Sequence, residues 1–265
     1  MDQLVSLDHE VRPQAGKEYF INLAFLSKQS KPGLPIGHKI GYVQLPWANQ
    51  QQAAFLDKKS GPNSVQVEET SEALTLKVAE STFIFDKQSG WLEQMFYADT
   101  SLLKAPIRPS FWRAPTDNDF GENFPEKAKA WQYAGKNAEL SKWSYSKHDD
   151  GNVTVSTEHY LKDVESRYLL TYIISTAGTV TMDVWFYAAP HKFQSELPRL
   201  GSLIQMPSNF DQVAWYGRGP HESYWDRKAS ALVGQYEASV DDLYFGYVRP
   251  QENGFRTDVR HASFV

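Results

Sequence analysis

Apolar and polar positions alternate along most of this chain, and their period is two, as expected of strands half-buried in sheets. Residues 17–26 are rich in β-formers and alternate in part. The stretch Ser27-Lys-Gln-Ser-Lys-Pro-Gly-Leu-Pro35 then reads as a turn, and residues 36–45 return as a second strand, which predicts a hairpin-like unit. Residues 49–63 are polar and close on Ser60-Gly-Pro-Asn63, the best place for a connection between domains. Short strand patterns follow at 65–69, 74–79, 83–86 and 91–97, and the Lys87-Gln-Ser-Gly90 turn makes the last two a hairpin. A helix is predicted over 125–134, with proline at its start, an acid in its first turn and Gly135 after its end. Alternation resumes at 138–146, 153–160, 168–175 and 180–188, with Asp149-Asp-Gly-Asn152 as one of the separating turns. Regular strands with glycine-containing turns predict an all-β, two-layer fold.

One segment breaks this rhythm. Pro109-Ser-Phe-Trp-Arg-Ala-Pro-Thr-Asp-Asn-Asp-Phe-Gly121 is too polar for a core strand and too constrained for a generic loop. Pro115 fixes its own φ and pushes Ala114 to extended backbone. Asp117, Asn118 and Asp119 can each bond nearby main chain and hold a turn, and Gly121 permits backbone angles that other residues avoid. The expectation is a shaped, acceptor-rich loop leaving a buried strand, as part of a site wall. The following Asp119-Phe-Gly-Glu-Asn-Phe-Pro125 reads as a small lid hinged at Gly121, or as a static connection.

Two further segments share this character: Trp215-Tyr-Gly-Arg-Gly-Pro-His-Glu-Ser-Tyr-Trp-Asp-Arg227 and Tyr247-Val-Arg-Pro-Gln-Glu-Asn-Gly254. In order and spacing, the three motifs resemble the C-terminal domain of the large β-galactosidases of glycoside hydrolase family 2. The resemblance covers roughly residues 63–265, with weaker similarity in strand pattern before that. It implies a large antiparallel β-sandwich like that of galactose mutarotases over 64–265, a linker at 56–63, and part of an immunoglobulin-like β-sandwich over 1–55. It also implies that the domain runs on past Val265, so that the chain is a fragment of a larger enzyme. A gene product that ends here is the alternative.

Composition narrows the function classes. A chain of 265 residues with 41% hydrophobic content has enough material for a core, and no apolar stretch approaches a membrane span. The aromatic share of 14% suits a strand-rich core, and some of these rings can also form sugar-stacking surfaces. A net charge of −5 without a long basic run argues against nucleic acid. No cysteine is present, so thiolate metal sites and disulfides are excluded. None of the seven histidines pairs at ligand spacing, so no metal is expected in this chain. Met1-Asp2-Gln3-Leu4 lacks a basic and an apolar leader region, so no signal peptide is expected; cytoplasm and periplasm both stay open.

The candidate chemistry is that of a wall rather than a reacting centre. Retaining glycosidases need two carboxyl groups across the scissile bond. Asp117 and Asp119 would share a face on an extended segment, but short acidic turns more often order a loop, and no catalytic residue is assigned to this chain. In the resembled family both catalytic glutamates come from a central barrel domain upstream. The candidates for the substrate cleft are Arg113, Asp117, Asn118, Asp119, Gly121, Glu122, Glu222 and Asn253. Glu222 and Asp226, with Arg218 and Arg227, can bind sugar hydroxyls or form a buried Arg–carboxylate network that locks a turn. Glu252, Asn253 and Gly254 form a turn that can present a polar patch. By resemblance the parent hydrolyses terminal β-D-galactosides with retention, using magnesium and often sodium. The partners so implied are a β-galactoside or galactose, the barrel domain and, as an open expectation, further copies of the same chain. A stand-alone carbohydrate-binding or mutarotase-like module is the competing class; it would need His221 or His159 to act with Glu222.

Overall fold

The computed structural model describes residues 14, 16–47, 61, 63–189 and 195–265. Sixteen strands and three short helices follow one another. They are β1 (Phe20–Leu26), β2 (Lys39–Pro46), β3 (Gln66–Glu69), β4 (Ala73–Val78), β5 (Ser81–Asp86), β6 (Leu92–Tyr97), β7 (Thr100–Ser101) and β8 (Arg108–Ser110). Next come α1 (Asp117–Gly121), α2 (Phe124–Lys127), α3 (Trp131–Ala134), β9 (Glu139–Lys147), β10 (Val153–Leu161), β11 (Ser166–Ile174) and β12 (Val180–Tyr187). The last four strands are β13 (Gly201–Leu203), β14 (Gln212–Gly219), β15 (Leu232–Ser239) and β16 (His261–Phe264). The protein is all-β, as its alternation predicts. Its contacts divide into two units: Met1–Asp57 with Ala214–Glu237 and Phe255–Ser263, and Lys58–Val213 with Ala238–Gly254 and Phe264–Val265. Of the expected linker, residues 56–60 and 62 lie outside the described residues.

The second unit is an antiparallel sandwich. A five-stranded sheet, β3-β4-β5-β6-β7, and a four-stranded sheet, β12-β11-β10-β9, bury facing side chains. Period two decides which residues go inside: Leu74, Leu76 and Val78 from β4 and Tyr168, Leu170, Tyr172 and Ile174 from β11 are all buried. Phe85 from one sheet meets Tyr172 and Trp143 from the other edge-on, at centroid distances of 5.1 and 6.1 Å. Each such side chain contributes about 1.5–3 kcal/mol through burial. The predicted hairpin between β5 and β6 forms, with Gly90 N–H donating to the Asp86 carbonyl at 2.8 Å. Gly90 has φ +75°, and a Cβ there would stand 2.5 Å from Leu140 Cδ1. Replacing it by alanine would therefore strain the turn and the core together.

The helical region differs from expectation. Instead of one helix over 125–134, α2 and α3 are separated by residues 128–130. Ala128, Trp131 and Ala134 are the residues buried here, and they recur every three positions rather than at the α-helical 3.6. The backbone follows that spacing: Trp131 N–H donates to the Ala128 carbonyl and Gln132 N–H to that of Lys129. Packing of Trp131 against Phe111 and Phe186 sets the geometry that propensity alone does not.

In the first unit, β1 and β2 pair antiparallel from Phe20↔Pro46 to Leu26↔Lys39, as the hairpin pattern predicts. The same unit holds most of the three-stranded sheet β15-β14-β16. Side chains join the two pieces where main-chain ladders do not. The Gln44 amide donates to the Val233 carbonyl at 2.9 Å and accepts from the Val233 N–H at 2.8 Å, as a β-partner would. Glu18 accepts two bonds from Arg260, at 2.8 and 2.9 Å, which hold its carboxyl below the usual range despite some burial.

Candidate functional site

β8 delivers Phe111 to the core, where it packs against Trp131, Tyr168 and Phe186. The chain then rises into the Arg113–Gly121 segment, which is not the irregular turn its Asp-Asn-Asp run predicts. Thr116, at φ −92° and ψ 170°, caps helix α1: its hydroxyl accepts from the Asp119 N–H while the Asp119 carboxylate accepts from the Thr116 N–H at 2.7 Å. This reciprocal capping box is encoded by Thr116-x-x-Asp119. Arg113 closes on the same carboxylate with both terminal nitrogens, at 2.5 and 2.8 Å, and lies 5.9 Å over the Phe124 ring. Bonding to Arg113, with the Thr116 amide and hydroxyl, holds the Asp119 carboxyl below its ordinary value against the opposing effect of burial.

Asp119 is therefore spent on the fold of its own segment, whereas its neighbours are not. Asp117 and Asn118 are exposed at the start of α1, and Glu122 is exposed at its end. Asp117 and Asp119 thus diverge on a helical turn instead of sharing a face. Gly121 does not take a positive φ and a Cβ there would meet nothing within 4 Å, so no special backbone angle depends on it. The left-handed residue is Asn123, at φ 53°. Phe124 packs against the core, while Phe120 is the exposed ring of this segment.

The third motif supports the first. Glu252, nearly buried, accepts from the Ala114 N–H at 3.1 Å and pairs with Arg199. Arg249 donates to Asp117 at 3.1 Å. Asn253 turns inward on its own loop: its amide oxygen accepts from the Phe245 N–H at 3.0 Å and its amide nitrogen donates to the Phe245 carbonyl. Arg113, Asp117, Asn118, Asp119, Gly121, Glu122 and Asn253 all belong to the second unit. The residues that assemble them and that were not singled out are Thr116, Arg199 and Arg249; Glu252, expected to present a polar patch, is instead bonded to Ala114 and Arg199. Of the three not singled out, only Thr116 carries a local signal, its capping-box spacing.

Glu222 belongs to the first unit. Its side chain is 4% exposed and pairs with Arg227, whose guanidinium lies over the Tyr224 ring. Arg256 stacks over Trp215 at 5.4 Å and donates to the Pro220 carbonyl at 3.1 Å. Arg218 binds Asp258, and it donates to the carbonyls of Lys228 and Ala231. Of the residues named for this motif, Glu222 and Arg227 pair as a turn lock would have them, whereas Arg218 pairs with Asp258 and Asp226 is exposed. The glycines serve close approach rather than unusual angles: a Cβ on Gly217 would lie 2.7 Å from Val259 Cα.

Neither His221 nor His159 is placed as an acid–base partner of Glu222. His221 is exposed and bonds Ser230 Oγ at 3.0 Å. His159 is buried in the sandwich, stacked on Trp91 at 3.7 Å, with Nε2 bonded to the Ser89 carbonyl at 2.8 Å. Burial, and secondarily Arg108, pushes its pKa down to about 4 against the opposing Ser89 bond. Among the described residues no group of three or more His, Asp or Glu side chains is placed to hold a metal ion.

A family model for the beta-galactosidase small chain matches residues 77–265. The chain is 32% identical over 248 residues to a beta-galactosidase of Priestia megaterium, covering 94% of this chain and 24% of that protein. It is 30% identical over 260 residues to a beta-galactosidase of Vibrio cholerae, covering 92% and 24%. A beta-galactosidase of Pectobacterium atrosepticum is 33% identical over 196 residues, covering 70% and 19%. The chain thus spans about a quarter of the length of the first two of these relatives.

Proposed function

The chain belongs to the beta-galactosidase small-chain family, and from that premise we propose that it is the C-terminal part of a β-galactosidase, supplying a carbohydrate-facing wall and loop but not the reacting groups. The observation that carries this reading is the coverage: most of the chain matches, yet it accounts for about a quarter of each of the two relatives it matches over most of its length. The remainder of the parent would hold the barrel and its two carboxylates. Hydrolysis of terminal non-reducing β-D-galactose would then proceed with retention, one carboxyl as acid and one as nucleophile. Magnesium and, often, sodium would serve the parent through donors outside this chain. Residues 1–55 as part of an immunoglobulin-like domain, 64–265 as the mutarotase-like sandwich, and assembly into oligomers belong to the same reading.

Within it, α1 is the working element. Asp117, Asn118 and Glu122 stand out from a turn whose interior bonds are complete; Asn118 and Glu122 can meet sugar hydroxyls without the turn reorganising, and Asp117 offers the oxygen that does not bond Arg249. Arg113, Asp119 and Glu252 act as positioning residues. The test is a pair of assays on the purified chain. A chromogenic β-galactoside should not be hydrolysed above background, and the polarimetric relaxation of freshly dissolved α-galactose should keep its uncatalysed rate. Hydrolysis that survives stringent purification would overturn the first half, and accelerated mutarotation would favour the stand-alone module.

A further inference from the structure

The outer face of the four-stranded sheet carries rings that neither the core nor the α1 segment uses. Along β12, Met182 and Phe186 pack towards the core, which sends Asp183, Trp185 and Tyr187 to the opposite face. The register sets Tyr187 opposite Arg167 and Trp185 opposite Leu169 on β11, then Arg167 opposite Tyr160 and Leu169 opposite Glu158 on β10. Tyr160, Trp185 and Tyr187 consequently share one face, at 40%, 62% and 46% exposure. Strand geometry gives this patch about 7 Å along the strands and about 10 Å across them. A single exposed ring needs no explanation, but three on one face of β10 and β12, either side of β11, form a patch.

Of the charges around the rings, Glu158 and Arg167 pair with one another, while the exposed Asp183 has no ion pair among the described residues. Glu158 accepts from Lys142 at 2.9 Å and from Arg167 at 3.3 Å, and Arg167 also lies 4.9 Å over the Tyr187 ring. With Lys142 and Arg167 beside Glu158 and Asp183, the charges are of mixed sign and exert little long-range pull on a charged partner. Rings with polar edges beside a guanidinium and a carboxylate instead suit a neutral, polyhydroxylated ligand. The C–H face of a pyranose lies on an aromatic ring, and its hydroxyls take charge-assisted hydrogen bonds. We propose that Trp185, Tyr187 and Tyr160 form a platform that binds a neutral saccharide chain, with Arg167 and Glu158 as partners for its hydroxyls. The platform uses none of the α1 residues and concerns retention of a saccharide by this chain alone, so it stands whether or not the hydrolytic reading above does.

Affinity electrophoresis of the complete chain tests it, in native gels containing soluble β-1,4-galactan or soluble β-glucan. At least one of the two polymers should retard the chain. Trp185→Ala and Tyr187→Ala should each weaken that retardation at least tenfold with unchanged melting temperature, since both side chains face solvent. Trp225→Ala, which removes an exposed ring of the other unit, should leave it intact. Absence of retardation in both gels would overturn the proposal, as would full retardation of the Trp185→Ala variant. A dimer of the intact chain that Trp185→Ala dissociates, with neither gel retarding it, would assign the face to a second copy and overturn it equally.

Discussion

Two Arg–carboxylate assemblies, one in each unit, are built from the same residue types and end in different roles. In the Arg113–Asp119 assembly the carboxylate closes a helix cap and the neighbouring Asp117, Asn118 and Glu122 stay exposed. In the Glu222–Arg227 assembly the carboxylate itself is buried, among Arg227, Tyr224 and the irregular segment carrying Arg256 and Thr257. The contrast shows that an acid within a polar motif identifies a place, not a function. Burial and the number of donors already committed decide whether its oxygens are available to a ligand.

Substitution should separate the two roles by magnitude. Glu222→Ala is expected to destabilise the protein by about 3 kcal/mol, because removing one partner leaves a guanidinium beside a desolvated pocket. The figure sits at the low end of the range for broken buried pairs since Arg227 is half-exposed. Denaturant titration measures it, and a loss below 1 kcal/mol would mean that the network is not a lock.

Acid should reveal a comparable effect that belongs to neither assembly. His159 titrates near 6.5 when unfolded and is pushed down to about 4 when folded, so the unfolded chain binds the proton first. Its contribution to stability is complete above pH 6.5 and is lost as pH falls towards 4, by on the order of 3 kcal/mol in all. His159→Phe should flatten the stability profile in that window while retaining the stack on Trp91. An unchanged slope would place the titrating group elsewhere.

Asp119→Ala comes next, at about 1–2 kcal/mol, since it removes a cap and charge-assisted bonds at a site with some solvent access. Part of the effect should disappear below pH 4, because a carboxyl held low contributes stability above its unfolded pKa and loses it as pH falls through the folded one. Gly121→Ala should be the smallest and of opposite sign. With an ordinary φ and open space around its Cβ, alanine should stabilise α1 by about 0.5–1 kcal/mol. Destabilisation would restore the case for Gly121 as a hinge.

Much of the fold was legible because period two and turn glycines act locally. β10 and β11 fall within two residues of their expected spans, and the Gly90 and Gly151 turns form where expected, both at positive φ. The helical region was legible only in part, since burial of Ala128, Trp131 and Ala134 overrides a pattern that otherwise reads as one helix. The Asp117–Asp119 run misled because acids and asparagine favour turns and caps alike; only Thr116, three residues before Asp119, tells them apart. The long-range contacts that support the site were not legible. Glu252 reaches the Ala114 amide across 138 residues of sequence, and Arg199 reaches Glu252 across 53. No spacing rule anticipates such contacts, because folding and not sequence proximity brings them together.

The central proposal is that this chain completes a galactoside site without performing its chemistry. The most direct measurement is turnover of a chromogenic β-galactoside by three samples: this chain, the upstream three quarters of the Priestia megaterium relative, and the two together. The account predicts background rates for each part alone and hydrolysis for the mixture, reduced when the added chain carries Asp117→Ala and Asn118→Ala. Hydrolysis by this chain alone, or a mixture no faster than the upstream part, would contradict it.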